Sequence, residues 1–129
     1  MSDTALTGQA YETQHPWVDL SGYLVAGLQP RATGAVAAQI DGNTIHYAVW
    51  LLVTPEYQQP TQDGGYVLLS GLPRHLRAGS MTSAYANLNG AAGQVVANPQ
   101  GRIIAPLRNT PTPSEVPQLN FTMTTWRAA

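Results

Sequence analysis

A chain of 129 residues gives one domain as the expectation at ~150 residues per domain, long enough to bury a core without metal or disulfide help. Only 10% of the residues are charged against ~25% in an average soluble domain, while 43% are hydrophobic, with 12 glycines and 10 prolines; this excludes a disordered chain and a long helical protein. A net charge of -1 removes the basic footprint of a nucleic-acid binder, and the absence of cysteine excludes disulfides, thiol catalysis and Cys-based zinc sites.

Residues 1–16 are polar, contain Gly8 and Pro16, and show neither period 2 nor period 3.6, so they read as an extended N-terminal arm. The arm has no basic n-region and no apolar h-region, which argues against a signal peptide. The longest strongly apolar run, 47–53, is too short to cross a bilayer, so no membrane insertion is expected of this cytoplasmically made product. All six basic residues are arginine, a bias that a GC-rich coding sequence explains without a structural demand.

From Trp17 onward, short β-type runs alternate with turn signals. Strands are predicted over 17–20, 35–40 and 44–53, with Asp41-Gly42-Asn43 as the hairpin turn between the last two. Further strands are predicted over 66–70, 81–88, 94–97, 102–105 and 119–126. Asn98-Pro99-Gln100-Gly101 reads as a turn with Pro at its second position. Four prolines between Pro106 and Pro117 enforce an extended crossing segment. No stretch carries a sustained apolar stripe at helical spacing, although 73–79 admits one short helix. The expected fold is all-β: a single-domain antiparallel β-sandwich, jelly-roll-like, over 17–129, preceded by the arm.

The run 44–53 is unusual. Ile45, Tyr47, Val49, Leu51 and Val53 share one face, but the opposite face carries His46, Ala48, Trp50 and Leu52. A sheet with one wet face shows polar residues there. Three readings stand side by side: a covering loop, a subunit interface through His46, Trp50 and Leu52, or a ligand platform of Trp50 and His46.

Reagents for catalysis are sparse. The carboxylates are Asp3, Glu12, Asp19, Asp41, Glu56, Asp63 and Glu115, and of these Glu56 and Asp63 share one polar loop without a pocket to split their pKa values. His15, His46 and His75 stand far apart, with no metal-ligand spacing. Neither a nucleophile elbow nor a phosphate-binding glycine loop is present. The expectation is therefore no enzyme, no cofactor and no metal. Surface recognition remains, through Tyr57 and Gln59 in the 54–65 loop and Arg74, His75 and Arg77 in the 73–79 turn. Read by themselves, these loops also suit a carbohydrate-binding module in which Tyr57 and the 74–77 loop hold a glycan.

The order of segments carries a resemblance. Trp17-Val18-Asp19-Leu20 leads to Gly27-Leu28-Gln29-Pro30-Arg31; Gly71-Leu72-Pro73-Arg74-His75-Leu76-Arg77 follows a strand, and Asn98-Pro99-Gln100-Gly101-Arg102-Ile103 comes later. Over roughly residues 17–105 this resembles the C-terminal β domains of minor tail and tail-fibre proteins of tailed bacteriophages of high-GC actinobacterial hosts. The resemblance implies a β-sandwich that forms a homotrimer and is displayed on the virion; the expected role is a tail-tip or fibre component able to contact a host-surface receptor such as a glycan. Residues 1–16 are then the anchor to other virion proteins. In that family the domain ends a longer protein, so a free-standing tail-tip subunit, or a decoration protein of the capsid lattice, is the expectation for this shorter chain.

Overall fold

Alternating side chains decide which face of each strand is buried, and the computed structural model, which describes residues 16–106 and 117–128, is built almost wholly from that rule. The strands are β1 (Trp17–Asp19), β2 (Leu28–Pro30), β3 (Val36–Asp41), β4 (Thr44–Val53), β5 (Thr61–Gln62), β6 (Gly65–Leu69), β7 (Thr82–Leu88), β8 (Ala91–Ala97), β9 (Ile103–Pro106) and β10 (Gln118–Trp126). Single 3-10 turns at Ser21–Tyr23 and Arg74–Leu76 are the helical segments among the described residues, the second inside the stretch that admitted a helix. The fold is all-β. No helix among these residues is long and apolar enough to cross a membrane. All of the arm except Pro16, and the proline-rich crossing segment over 107–116, lie outside the described residues.

The strands form one antiparallel sheet in the order β1-β3-β4-β10-β7-β8-β9-β6-β5, with β2 also paired to β4. The sheet curls into a half-barrel, and segment 23–30 links β6 to β4. One end of that segment bonds β6, through Val25 N–H to the Leu68 carbonyl (3.0 Å) and Ser70 N–H to the Tyr23 carbonyl (3.0 Å). Its other end, β2, pairs with residues 51–53 of β4. The C-terminal strand β10 is central: it pairs with residues 44–52 of β4 on one side and, over 119–121, with β7 on the other.

Inside the curl, Ile45, Tyr47, Val49 and Leu51 of β4 meet Leu68, Leu69, Val95, Ile103, Leu119 and Phe121 in one core cluster. Burying an aliphatic side chain of this size stabilises a fold by about 1.5–3 kcal/mol. Tyr47 carries its hydroxyl into this core by donating to the Leu76 carbonyl at 2.7 Å, which ties the 74–76 turn to β4. Burial pushes the Tyr47 phenol well above the usual tyrosine range.

Two devices fix the loops. Gly27 lies at φ +94°, and a Cβ there would come within 2.3 Å of the Tyr57 backbone, so the 54–57 turn packs directly on a residue that has to be glycine. Thr54 completes the contact, its hydroxyl donating to the Gly27 carbonyl at 2.7 Å. The predicted 98–101 turn forms with Gly101 N–H donating to the Asn98 carbonyl at 3.2 Å. Its Asn98 side chain, 2% exposed, donates to Asp63 Oδ2 at 2.9 Å, and Arg102 reaches the same oxygen at 3.0 Å.

Candidate recognition face of the sheet

With Ile45, Tyr47, Val49 and Leu51 turned into the core, His46, Ala48, Trp50 and Leu52 are forced onto the outer face of β4. Register then sets their neighbours. Gln39 and Thr124 flank His46, Ala37 and Thr122 flank Ala48, Asn120 lies beside Trp50, and Gln29 and Gln118 flank Leu52. Apart from the aromatics and Leu52, the residues flanking β4 on this face are small or polar without charge, while Asp19 lies farther out beside Ala37. Trp17 reaches it from β1, opposite Gln39.

The aromatic rings are held. Trp17 stands edge-on to His46, with centroids 5.7 Å apart, and His46 Nδ1 shares a hydrogen bond of 2.6 Å with Thr124 Oγ1. Trp50 is gripped by a local detour of the chain. The strand leaves β4 after Arg31, whose N–H donates to the Trp50 carbonyl at 2.9 Å, and returns at Ala35, whose carbonyl accepts from Trp50 N–H at 2.8 Å. The detour includes Gly34 at φ +79° and sets the Arg31 guanidinium over the Trp50 ring, 3.8 Å from its centroid. On the indole edge, Trp50 Nε1–H donates to Gln118 Oε1 at 3.2 Å.

Between these rings the sheet surface is low because Ala37, Ala48 and Thr122 are small. The result is an open groove of ≈600 Å³ bounded by Trp17 and Trp50 and, from β7, by Tyr85 and Asn87, with Asn120 along its base. Trp17 is 49% exposed, Trp50 36% and Tyr85 76%. Trp50 is thus not sealed beneath a covering loop. His46 and Leu52 share the face with Trp50, but neither lines the groove.

The loop residues singled out from the sequence are divided by the structure. Tyr57 is not displayed: it is 3% exposed, its ring belongs to the core, and its hydroxyl donates to the Val67 carbonyl at 2.7 Å. The 54–57 turn on Gly27 drives the side chain inward, which corrects its assignment as a surface contact. Burial, and secondarily the neighbouring Tyr66, push its phenol well above the usual range. Arg77 is half-buried and donates from Nε to the Leu72 carbonyl at 2.7 Å, a bond that holds its own turn. Arg74 and His75 are exposed and Gln59 is half-buried at φ +56°. None of the five lines the groove.

The two loop carboxylates also have separate surroundings. Glu56 is held below the ordinary carboxylate range, chiefly by its bond with the Thr54 side chain and then by its own backbone. Asp63 is engaged by Asn98 and Arg102. Among the described residues, no group of three or more His, Asp or Glu side chains is placed to hold a metal ion.

Nothing local in the sequence marks Trp17, Tyr85, Asn87 and Asn120 as one site or sets Arg31 on Trp50; sheet register does both. Tyr85 carried the one available signal, a large aromatic on the outward side of a strand whose inward side is Ala84, Ala86 and Leu88. No family model, curated protein or solved structure matches the chain.

Proposed function

We propose that this chain is a non-enzymatic structural protein of a tailed-phage virion, a tail-tip or fibre component that meets the host surface through the outer face of its sheet. The resemblance over residues 17–105 supplies the setting. The observation that carries the contact face is the set Trp17, Trp50 and Tyr85, which stay exposed on three strands of one sheet. Clustered exposed aromatics on a rigid scaffold mark interaction sites, and Trp and Tyr are the residues that dominate their energetics.

In this reading the curled sheet is a sandwich-like, jelly-roll-like domain, with β1-β3-β4-β10-β7 facing β8-β9-β6 across the core. Three copies in a homotrimer multiply weak contacts by avidity, and residues 1–16 anchor the protein to its virion neighbours. The Trp50 face is assigned to the target in this proposal, with Gln118, Asn120 and Thr122 placing polar groups beside its aromatics.

The test has two arms. Mass spectrometry of purified particles is expected to detect the chain, and the purified chain is expected to compete with particle adsorption to host cells. Replacing Trp17 and Trp50 together by Ala is expected to weaken that competition about 30-fold, the effect of losing about 2 kcal/mol of hot-spot contact. A chain absent from the particle, or a double variant that competes as well as the parent, contradicts the proposal.

A further inference from the structure

We infer that the outer-face groove is a binding site for a neutral oligosaccharide, an assignment that rests on the reading of this face as a recognition surface. The C–H faces of a sugar ring stack on aromatic rings, while its hydroxyls need donors and acceptors beside the stack. The groove supplies both. Trp17, Trp50 and Tyr85 bound it, and between them lie the Asn120 amide and the Thr122 hydroxyl, which have no side-chain hydrogen bond among the described residues. Asn87 accepts from Gly90 N–H at 2.7 Å through its Oδ1, which leaves its amide NH2 for a ligand.

Charge narrows the ligand class. Among the described residues, none lining the groove is charged, and the Arg31 guanidinium is already laid on the Trp50 ring. A polyanion or an acidic peptide finds only the Arg31 guanidinium beside the groove, one charge already stacked on an indole ring. Strand addition by a peptide is disfavoured at β4, which is paired along both edges, and at residues 119–121 of β10, which pair with β4 on one side and β7 on the other. The volume of ≈600 Å³ lies within the usual span for small-ligand sites, roughly 300–1,000 Å³. The rings are also ordered before any ligand arrives, Trp50 by Arg31 and Gln118 and Trp17 by His46, which lowers the entropy lost on binding.

The experiment titrates the whole chain with tri- to hexasaccharides of glucose, galactose, mannose and N-acetylglucosamine, up to millimolar concentration, with heparin as the charged control. Tryptophan fluorescence and the indole N–H signals of Trp17 and Trp50 report binding. At least one neutral oligosaccharide is expected to bind and shift both indole signals, and heparin is expected to leave them unchanged. Tyr85→Ala and Asn120→Ala are each expected to weaken binding about tenfold. Trp126→Ala, an exposed aromatic at the far end of β10 outside the groove, is expected to bind as the parent does. Tyr85 is 76% exposed, so its replacement leaves the fold intact and its result stands whatever the other variants do. The inference is overturned if no oligosaccharide binds, if heparin alone binds, or if Trp126→Ala abolishes binding while Tyr85→Ala does not. If no sugar binds but host adsorption still depends on Trp17 and Trp50, the oligosaccharide assignment fails and the recognition face stands.

Discussion

Tyr57 and Tyr85 sit in regions that exchange the roles a sequence reader expects of them. Tyr57 belongs to a polar loop, and loops carry recognition; Tyr85 belongs to a strand, and strands carry packing. The molecule does the reverse. The loop tyrosine is 3% exposed and bonds the Val67 carbonyl, while the strand tyrosine is 76% exposed at the rim of a groove. A long loop on a small β domain has few neighbours to hold it, and an aromatic anchor driven into the core supplies what short strands such as β5 cannot. A strand in a curled sheet has an outer face that nothing local obliges to be polar.

Replacing each tyrosine by Ala sharpens the contrast most. Tyr57→Ala is expected to cost about 3–5 kcal/mol of stability by denaturant unfolding, because it removes a buried ring and leaves the Val67 carbonyl without its donor. A loss under about 1 kcal/mol would mean that the 54–65 loop holds itself without this anchor. Gly27→Ala attacks the same loop from below and is expected to cost about 2–4 kcal/mol, from the φ of +94° and the collision with the Tyr57 backbone.

Alkaline pH probes the anchors without mutation. Tyr47 and Tyr57 ionise less readily folded than unfolded, so their contribution is complete below the unfolded pKa near ~10 and is lost as pH rises above it. The denaturation midpoint is expected to fall above pH ~10, with these two phenols ionising only as the chain unfolds. Arg102→Ala is expected to cost less, about 0.5–1 kcal/mol, because the pair with Asp63 is partly exposed and Asn98 still holds the carboxylate. Tyr85→Ala closes the series with a stability change within about 0.5 kcal/mol, as its ring makes no core contact.

Much of this fold was legible because period 2 and turn chemistry act locally. The 44–53 strand and the alternation of Leu119, Phe121 and Met123 against Asn120, Thr122 and Thr124 were read correctly, and the Asp41-Gly42-Asn43 signal marked a real hairpin. β8 was predicted to begin at Gln94 but starts at Ala91. Ala91, Ala92 and Gly93 carry little β preference, and the Asn89-Gly90 turn, with both residues at positive φ, fixes their pairing with β7. β2 is not legible locally because its three residues, Leu28–Pro30, follow Gly27, end in a proline and pair only through β4. The central place of β10 was not legible at all, since it depends on closure between distant parts of the chain.

The candidate site divides the same way. Trp50 was flagged because it interrupts an alternation within one strand. Trp17, Tyr85 and Asn120 come from three other strands spread along most of the chain, and only sheet register brings them together. The loop cluster of Tyr57, Gln59, Arg74, His75 and Arg77 looked convincing by residue type, yet burial of Tyr57 and the Leu72 bond of Arg77 remove two of its five members.

Side-chain oxidation footprinting of the chain bound to isolated host envelopes tests the assignment of recognition to the sheet instead of the loops most directly. Trp17, Trp50 and Tyr85 are expected to lose reactivity on binding while His75 in the 74–76 turn keeps its own. Protection of His75 with Trp17, Trp50 and Tyr85 still reactive would contradict the account and return recognition to the loops.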